Sequence, residues 1–516
     1  MISKSTTPTV VIELPLRIGS DVVNVLERTF SLGLCLHKAT LGTVLKRDRE
    51  LRASEAWAAA KAMPAGKERT TEFKRLMKDA GLTQSGFEKI LNAHLIHSRR
   101  KNQIDSNTGQ KIADRLWIAS ERWRFKGAGK PRFKGRSRGL HSLEGKTNRS
   151  GIRWKADKSR IEWLNCFMPA VIDKDDDWLM RALSDPADPA KPRRVKYCRI
   201  LWRRINDRKR WFVQLVCEGV SPAKHVYASA NMKAGIDPSL RSLTIAYENG
   251  SVEKIDIAAG LSKDDREIRR LQRRIDRCRR AANPDNYEEN GVPKKGRLFW
   301  KKSKKQVRLE AELAELHRKA AAHRKNKAGE AVNWVLGQAG CISLEVNSYK
   351  AFQRSRFGGS ILKGAPGQFI NMLKVKAASA GLKVFDVLPD ELRPSQHDIE
   401  TGEFVKHDLS ERWIKLGKSG LWINRDAMAA LNLMWLDASG LNYLPLNDPK
   451  RNWEAVKDAL LDAGWLVQLE ARDEASEVFL RRFRRKDLSA QPVRELRQKR
   501  NRGRSDDVLA AAAAGA

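Results

Sequence analysis

Residues 233–257 read KAGIDPSLRSLTIAYENGSVEKIDI, and the fold is decided there. A short apolar segment ends at Asp237-Pro238. Two runs rich in β-branched and aliphatic residues follow, separated by Asn249-Gly250, a dipeptide that favours the type I′ hairpin turn. This pattern predicts a strand, an acid at its end, and a hairpin. Further along, residues 263–336 predict a long charged helical hairpin. Ile268, Leu271, Ile275 and Cys278 share a face of its first arm, and Leu309, Leu313 and Leu316 a face of the second. CISLEV (341–346) predicts a short strand, GAPGQFINMLKVKAASAG (364–381) a turn and a helix, and LKVFDVL (382–388) another strand. Strand, helix and strand in this order predict a mixed α/β sheet.

Three acids stand in telling places along this stretch. Asp237 follows the first apolar run, Glu345 ends CISLE, and Asp426 lies in WINRDAMAALNLM, where an N-cap candidate precedes a helix. Taken singly, each has an ordinary reading: a turn former before proline, a solvated strand end, a helix cap. Together, carboxylates at neighbouring strand ends and a helix start can converge at one sheet edge. Like charges at close range resist joint ionisation unless cations relieve them. Hard oxygen donors suit Mg²⁺, with Mn²⁺ as a substitute. Two such ions can clamp a phosphodiester for in-line attack by water. Asp237 would then be shared between them, with Glu345 on one side and Asp426 on the other.

The composition points to a polyanionic partner. The 516 residues hold 100 Lys plus Arg against 62 Asp plus Glu, a formal charge of +38, spread along the chain. Nucleic acid neutralises such a chain with release of counterions. No apolar run approaches the roughly 20 residues of a membrane helix, and the first residues lack a signal-peptide core. Six dispersed cysteines, none in a CxxC pair, predict free thiols in a reducing cytoplasm and no structural zinc.

Toward the N-terminus, TVVIELPL (9–16) predicts a strand, and residues 20–125 a helical region. A Gly-rich basic segment spans 127–154. VKYCRILWR and RWFVQLVCE, around Asn206-Asp207, predict a hairpin. Strands from 1–16 and 130–225 would make a small barrel split by the helices. Lys130, Arg132, Lys134, Arg136 and Arg138 are candidate phosphate contacts. Arg269 and Arg273 are candidates on the helical hairpin, where a solvated face and a nucleic-acid face are equal alternatives. Trp117, Trp123, Phe125, Trp154 and Trp163 are candidates for stacking on bases, with ordinary packing the preferred reading for most. After residue 480 the chain turns basic (RRFRRKD, KRNRGR) and then Ala-rich, predicting a disordered or marginally helical tail.

GIDPSLRSLTIAY resembles the first RuvC motif of the TnpB and compact type V CRISPR nucleases. ISLEVNSYKAFQ resembles the second, followed by RFGGSILKGAPGQFINMLKVKA, and NRDAMAALNLM resembles the third. The resemblance covers residues 1 to about 440 and is densest from 233 to 435. It implies an α/β, RNase H-like RuvC nuclease domain with a helical insertion. An N-terminal wedge β-barrel interrupted by a helical recognition domain would precede it. The implied boundaries are wedge at 1–19 and 127–230, recognition helices at 20–126, and nuclease at 231–391 with its insertion at 261–336. A target-binding loop at 392–422, the third motif at 423–445 and an extension at 446–516 complete the chain. The resemblance makes Asp237, Glu345 and Asp426 the catalytic triad, and guide RNA and double-stranded target DNA the partners. It also implies a monomer or asymmetric homodimer in a prokaryotic, nucleoid-associated cytoplasm.

The chain departs from that family twice. A four-cysteine zinc ribbon commonly precedes the third motif, whereas LRPSQHDIETGEFVKHDLSERW stands here without cysteine. Hydrogen bonds are expected to hold this loop; His397, Asp398 and His407 are candidate metal ligands, with surface polar residues the preferred reading. Met428 also stands where the family usually has Asn. The expected activity is a programmable Mg²⁺-dependent DNA endonuclease. The alternative is a guide-directed DNA binder that blocks transcription with little cleavage. An RNA-binding scaffold and a rejoining transposase are the further readings, opposed by the order of the acids and by the lack of a dedicated nucleophile.

Overall fold

The structure is a computed structural model. It describes residues 8–469 except 136–138, 225–226, 229–231, 259–264, 350–352, 354, 356–357 and 409, and beyond these only 473 and 493–494. The basic tail after 480 lies almost wholly outside the described residues. The chain divides into two compact units, one ending at Pro222 and one beginning at Ala223.

In the first unit, β1 (Thr9–Pro15) pairs antiparallel with β7 (Arg208–Glu218). That strand pairs with β6 (Val195–Ile205), and β6 with β2 (Ser142–Glu144). Asn206 and Asp207 both have positive φ, as a type I′ turn requires. A second sheet holds β3 (Arg153–Lys155), β4 (Arg160–Trp163) and β5 (Cys166–Pro169). The two sheets are joined by an antiparallel bridge between Leu16 and Ala170, and helix α6 (Asp177–Leu183) follows β5. Between β1 and β2 lie α1 (Ser20–Ala53), α2 (Glu55–Ala62), α3 (Lys67–Asp79), α4 (Gln84–Ile96) and α5 (Ser106–Phe125). Strand residues Ile12 and Leu14 and helix residues Leu26, Phe30, Phe87 and Leu116 share one apolar core. The helices are therefore not a separate domain by packing, although they are continuous in sequence.

The second unit is built on a sheet with β8 (Lys233–Pro238) inside it. On one side β8 pairs antiparallel with β9 (Ser242–Tyr247), which pairs antiparallel with β10 (Val252–Asp256). On the other side β11 (Cys341–Glu345) runs parallel to β8, and β12 (Lys383–Val387) parallel to β11. A short β16 (Val493–Arg494) runs beside β10. The β9–β10 turn differs from the type I′ expectation. Only Gly250 has positive φ, and its N–H donates to the Tyr247 carbonyl. This is a type I turn closed by a left-handed glycine, the next commonest hairpin loop.

The predicted helical hairpin is α7 (Asp265–Ala281) and α8 (Lys304–Gln338), the second arm ending two residues later than expected. Leu271 and Leu309 are its buried apolar anchors. Farther on lie α9 (Gly358–Gly364), α10 (Pro366–Ser379) and α11 (Pro389–Leu392). Strands β13 (Trp413–Lys415) and β14 (Trp422–Asn424) lead into α12 (Arg425–Met434). The stretch assigned to the extension begins with ordered structure. Helix α13 (Trp453–Asp462) and β15 (Leu466–Val467) follow, with β15 pairing to β14. Val456, Leu460, Trp465 and Leu466 share a core with Ile423 and Leu431.

Candidate functional site

The register of the sheet sets two of the acids side by side. Ile236 pairs with Leu344 in the parallel β8–β11 ladder, so the next step places Glu345 beside Asp237 on the same face. The same row continues across the sheet, because Asp237 pairs with Thr244 and Thr244 with Lys254. Glu345, Asp237, Thr244 and Lys254 therefore form a line over four adjacent strands.

The third acid arrives by helix packing. Helix α12 lies so close to β8 that a Cβ on Gly235 would collide with the Ala430 carbonyl and the Met434 amide. Two residues along the strand, about 6.6 Å, lead from Gly235 to Asp237 on the same face. Four residues back along the helix, about 6 Å, lead from Ala430 to Asp426. Both steps end at the same place. Asn424 is the N-cap, accepting from the Asp426 amide at 3.0 Å and the Ala427 amide at 3.4 Å. The Asp426 carboxylate is thus not consumed in capping. Lys254 Nζ and Arg412 Nη1 each approach it at 3.5 Å.

The electrostatics record this convergence. Asp237 keeps part of its surface accessible, but protein packs densely around it. That burial first, then the charges of Glu345 and Asp426, raises its carboxyl well above the usual range. Burial also raises Glu345, opposed by an Asn347 side-chain N–H that donates to it at 2.8 Å, and reinforced by Asp426. The Tyr349 hydroxyl donates to the Pro238 carbonyl at 3.2 Å, bracing the strand end beside Asp237. A cavity of about 290 Å³ opens at Glu345, walled by Asp390, Arg393 and Gln396.

A crowded carboxylate set, in which burial and mutual repulsion oppose ionisation, is the chemistry that hard divalent cations relieve, so the donors fit Mg²⁺ or Mn²⁺. Among the described residues, however, no three His, Cys, Asp or Glu stand at the spacing of a single ion's ligands. The acids converge without closing on one point. Lys254, Arg412, Asn347 and Tyr349 were missed in the sequence. None left a local signal: Lys254 alternates with Ile255 and Ile257 as a solvent-facing lysine would.

The loop at 392–422 is held by polar groups that the sequence placed on the surface. His397 and Asp398 are buried instead. Asn432, fully buried on α12, donates to the Pro394 carbonyl at 2.9 Å and the His397 carbonyl at 2.7 Å, and its Oδ1 meets His397 Nδ1 at 3.0 Å. His397 stacks on Tyr443 with centroids 3.9 Å apart. Asp398 accepts from the amides of Glu400, Thr401 and Gly417. His407 is half-buried, 3.7 Å from Glu411. Asn432→Leu strands two carbonyls and an imidazole, each unpaired buried group costing about 1–3 kcal/mol. Urea unfolding is expected to show a loss of about 3 kcal/mol, with faster amide exchange at 394–405. An unchanged midpoint and unchanged exchange would refute this role.

The basic candidates divide. Lys130 is exposed and lies over the Trp123 ring at 5.6 Å, and Arg132 and Lys134 are exposed at the rim of a cavity of about 250 Å³. Arg136 and Arg138 lie outside the described residues. Arg269 and Arg273 are exposed on α7. Of the aromatic candidates, Trp154 and Trp163 are core residues and Trp117 packs edge-on to Phe87, whereas Phe125 is exposed. Among the described residues no helix is long and apolar enough to cross a membrane.

No protein-family model and no curated protein matches this chain. Among solved structures it is similar to a chain of a Cas12f1–sgRNA–target DNA complex. The identity is 12%, coverage is 82% of this chain and 98% of that one, and the TM-score is 0.42. It is also similar to a chain of a CRISPR-Cas12f ternary complex, at 13% identity, 83% and 86% coverage and a TM-score of 0.25. Both scores are below 0.5, and the functional reading rests on the side chains instead.

Proposed function

We propose that the chain is an RNA-guided DNA endonuclease of the TnpB and compact type V kind, cutting phosphodiesters at Asp237, Glu345 and Asp426. The observation that carries this reading is the meeting of three acids, far apart in sequence, at one end of a sheet. The basic surfaces supply the rest. Lys130, Arg132, Lys134, Arg269 and Arg273 would bind phosphates, while base pairing to a guide RNA would select the double-stranded target. The wedge, recognition and RuvC roles attach to the boundaries given above. One copy holds all three acids, so a monomer or an asymmetric homodimer would serve.

In this proposal Asp237, Glu345 and Asp426 would hold the Mg²⁺ ions, and no structural zinc is required. When bound, the ions would neutralise developing charge and lower the pKa of water. The chain's own contributions are separate. Asn347 fixes the Glu345 carboxylate, and Asn424 fixes the turn that carries Asp426. Glu345, next to the cavity, is placed to orient a water and take its proton. Lys254 and Arg412 hold Asp426 against repulsion from its neighbours.

The binding-only alternative is favoured by two observations: the Asp426 carboxylate already faces two cations of the chain, and among the described residues the acids do not stand at single-ion spacing. One experiment separates the readings. The protein is purified with the RNA that accompanies it, the RNA is sequenced, and DNA carrying its complement is added with Mg²⁺ or with chelator. Cleavage only with Mg²⁺ is expected. Tight target binding without cleavage would select the alternative, and absence of bound RNA would overturn both.

A further inference from the structure

The cavity of about 250 Å³ in the first unit has a chemistry of its own. Ile112, Leu116 and Ala119 of α5 and Leu140 give it apolar walls. His37 of α1 lines it, is 9% exposed, and has its Nδ1 buried with no hydrogen-bond partner. That nitrogen is closed off even from water, so the ring meets the cavity through its other nitrogen, Nε2. Burial first, then Lys134 and Lys38, pushes this imidazole down to about 4. It is therefore neutral, and Nε2 offers either an N–H or a lone pair according to the tautomer. At the mouth stand Arg115, Arg132 and Lys134. Arg115 is tied to Glu144 at 2.9 Å and to the Ser142 carbonyl at 3.2 Å. Arg132 and Lys134 have no carboxylate partner among the described residues. No acid lines the cavity.

The ligand that fits is anionic at one end, flat and largely apolar at the other, with one polar edge. The space is below the roughly 300–1,000 Å³ that drug-sized ligands occupy, so one base fits and a base pair does not. We propose that this cavity takes a single unpaired nucleotide, its base between Leu116 and Leu140 with its edge on His37, and its phosphate on Arg132 and Lys134. Single-stranded nucleic acid is commonly read in this manner, by splayed bases placed in pockets. The inference rests on the nucleic-acid reading above but not on the carboxylate site. RNA and DNA share the required chemistry, and the test distinguishes them.

The probes are two pyrimidine decamers, one RNA and one DNA, each with a single 2-aminopurine, titrated into the full-length protein. Wild type is expected to change the probe's fluorescence saturably, and the stronger arm names the source strand. His37→Leu should weaken binding about five- to tenfold, the size of one hydrogen bond, while His37→Gln, which keeps a polar edge, stays within about twofold. Ala119→Trp should fill the space and abolish the fluorescence change. Lys134→Ala, at an exposed position that cannot prevent folding, should weaken binding at low salt with the gap closing as salt rises. Wild type that binds both decamers with no fluorescence change overturns the pocket alone. The same holds if His37→Leu and Lys134→Ala both behave as wild type. Wild type that binds neither decamer overturns the nucleic-acid reading together with it.

Discussion

Asp237→Ala is expected to lower the target-cleavage rate by about 10³-fold or more, since transition-state charge stabilisation at such a site amounts to several kcal/mol. Affinity for the matched target should stay within about threefold, because phosphate contacts on the basic surfaces supply it. The same position predicts an effect on stability. Asp237 is raised above its ordinary value by burial and by Glu345 and Asp426. An acid whose folded pKa lies above its unfolded one loses stability as pH rises through the interval between them. At neutral pH with divalent ions chelated, Asp237→Asn should therefore unfold at a higher temperature than wild type. A site that gains stability as it loses activity is a mark of charges gathered for function. Undiminished cleavage in Asp237→Ala, with chelated Asp237→Asn no more stable, would remove both arguments.

Gly235→Val has the second large effect. Its side chain would strike the backbone of α12 at Ala430 and Met434, and backbone cannot rotate away as a side chain can. Overpacking costs typically 1–3 kcal/mol and more when the obstacle is rigid, so a loss of about 3 kcal/mol or more is expected in urea unfolding. The only relief is to lift the helix, and Asp426 rides on its first turn. Cleavage should therefore fall even in molecules that remain folded, whereas Asn424→Ala, which removes the helix cap, should cost about 1 kcal/mol. A Gly235→Val protein with wild-type stability and cleavage would show that the close approach of helix and strand does not set the site.

What could be read in the chain follows a physical division. The strands around Asp237 and Glu345 were legible because β-branched residues and turn dipeptides are local signals. The two arms of the charged hairpin were legible from helical spacing. The meeting of Asp426 with the other acids depends on Gly235, whose role is to have no side chain at a crossing of two elements, and no local pattern marks that. Lys254 reaches Asp426 through a register across three strands, which is set only when the sheet forms. His397 and Asp398 were placed on the surface because polar residues in a Pro- and Gly-containing loop usually are. His397 is held inside by Asn432, a partner on a helix some 35 positions away, and Asp398 by the amides of Glu400, Thr401 and Gly417. Asn249-Gly250 forms a turn as expected, but of another type, since Asn249 keeps negative φ and Gly250 alone takes the left-handed conformation. Helix α13 and strand β15 left no reading of their own because they are short, and their apolar residues matter only against the core that receives them.

The most direct test of the carboxylate site is divalent-ion binding by the protein itself. Thermal unfolding is followed in Mg²⁺ or Mn²⁺ against chelator, for wild type and for Asp237→Asn, Glu345→Gln and Asp426→Asn. A ligand at 100 times its dissociation constant stabilises the native state by about 2.7 kcal/mol. Wild type should show a clear upward shift with either ion, and each of the three variants should lose most of it. An equal shift in wild type and all three variants would contradict a shared ion site at Asp237, Glu345 and Asp426.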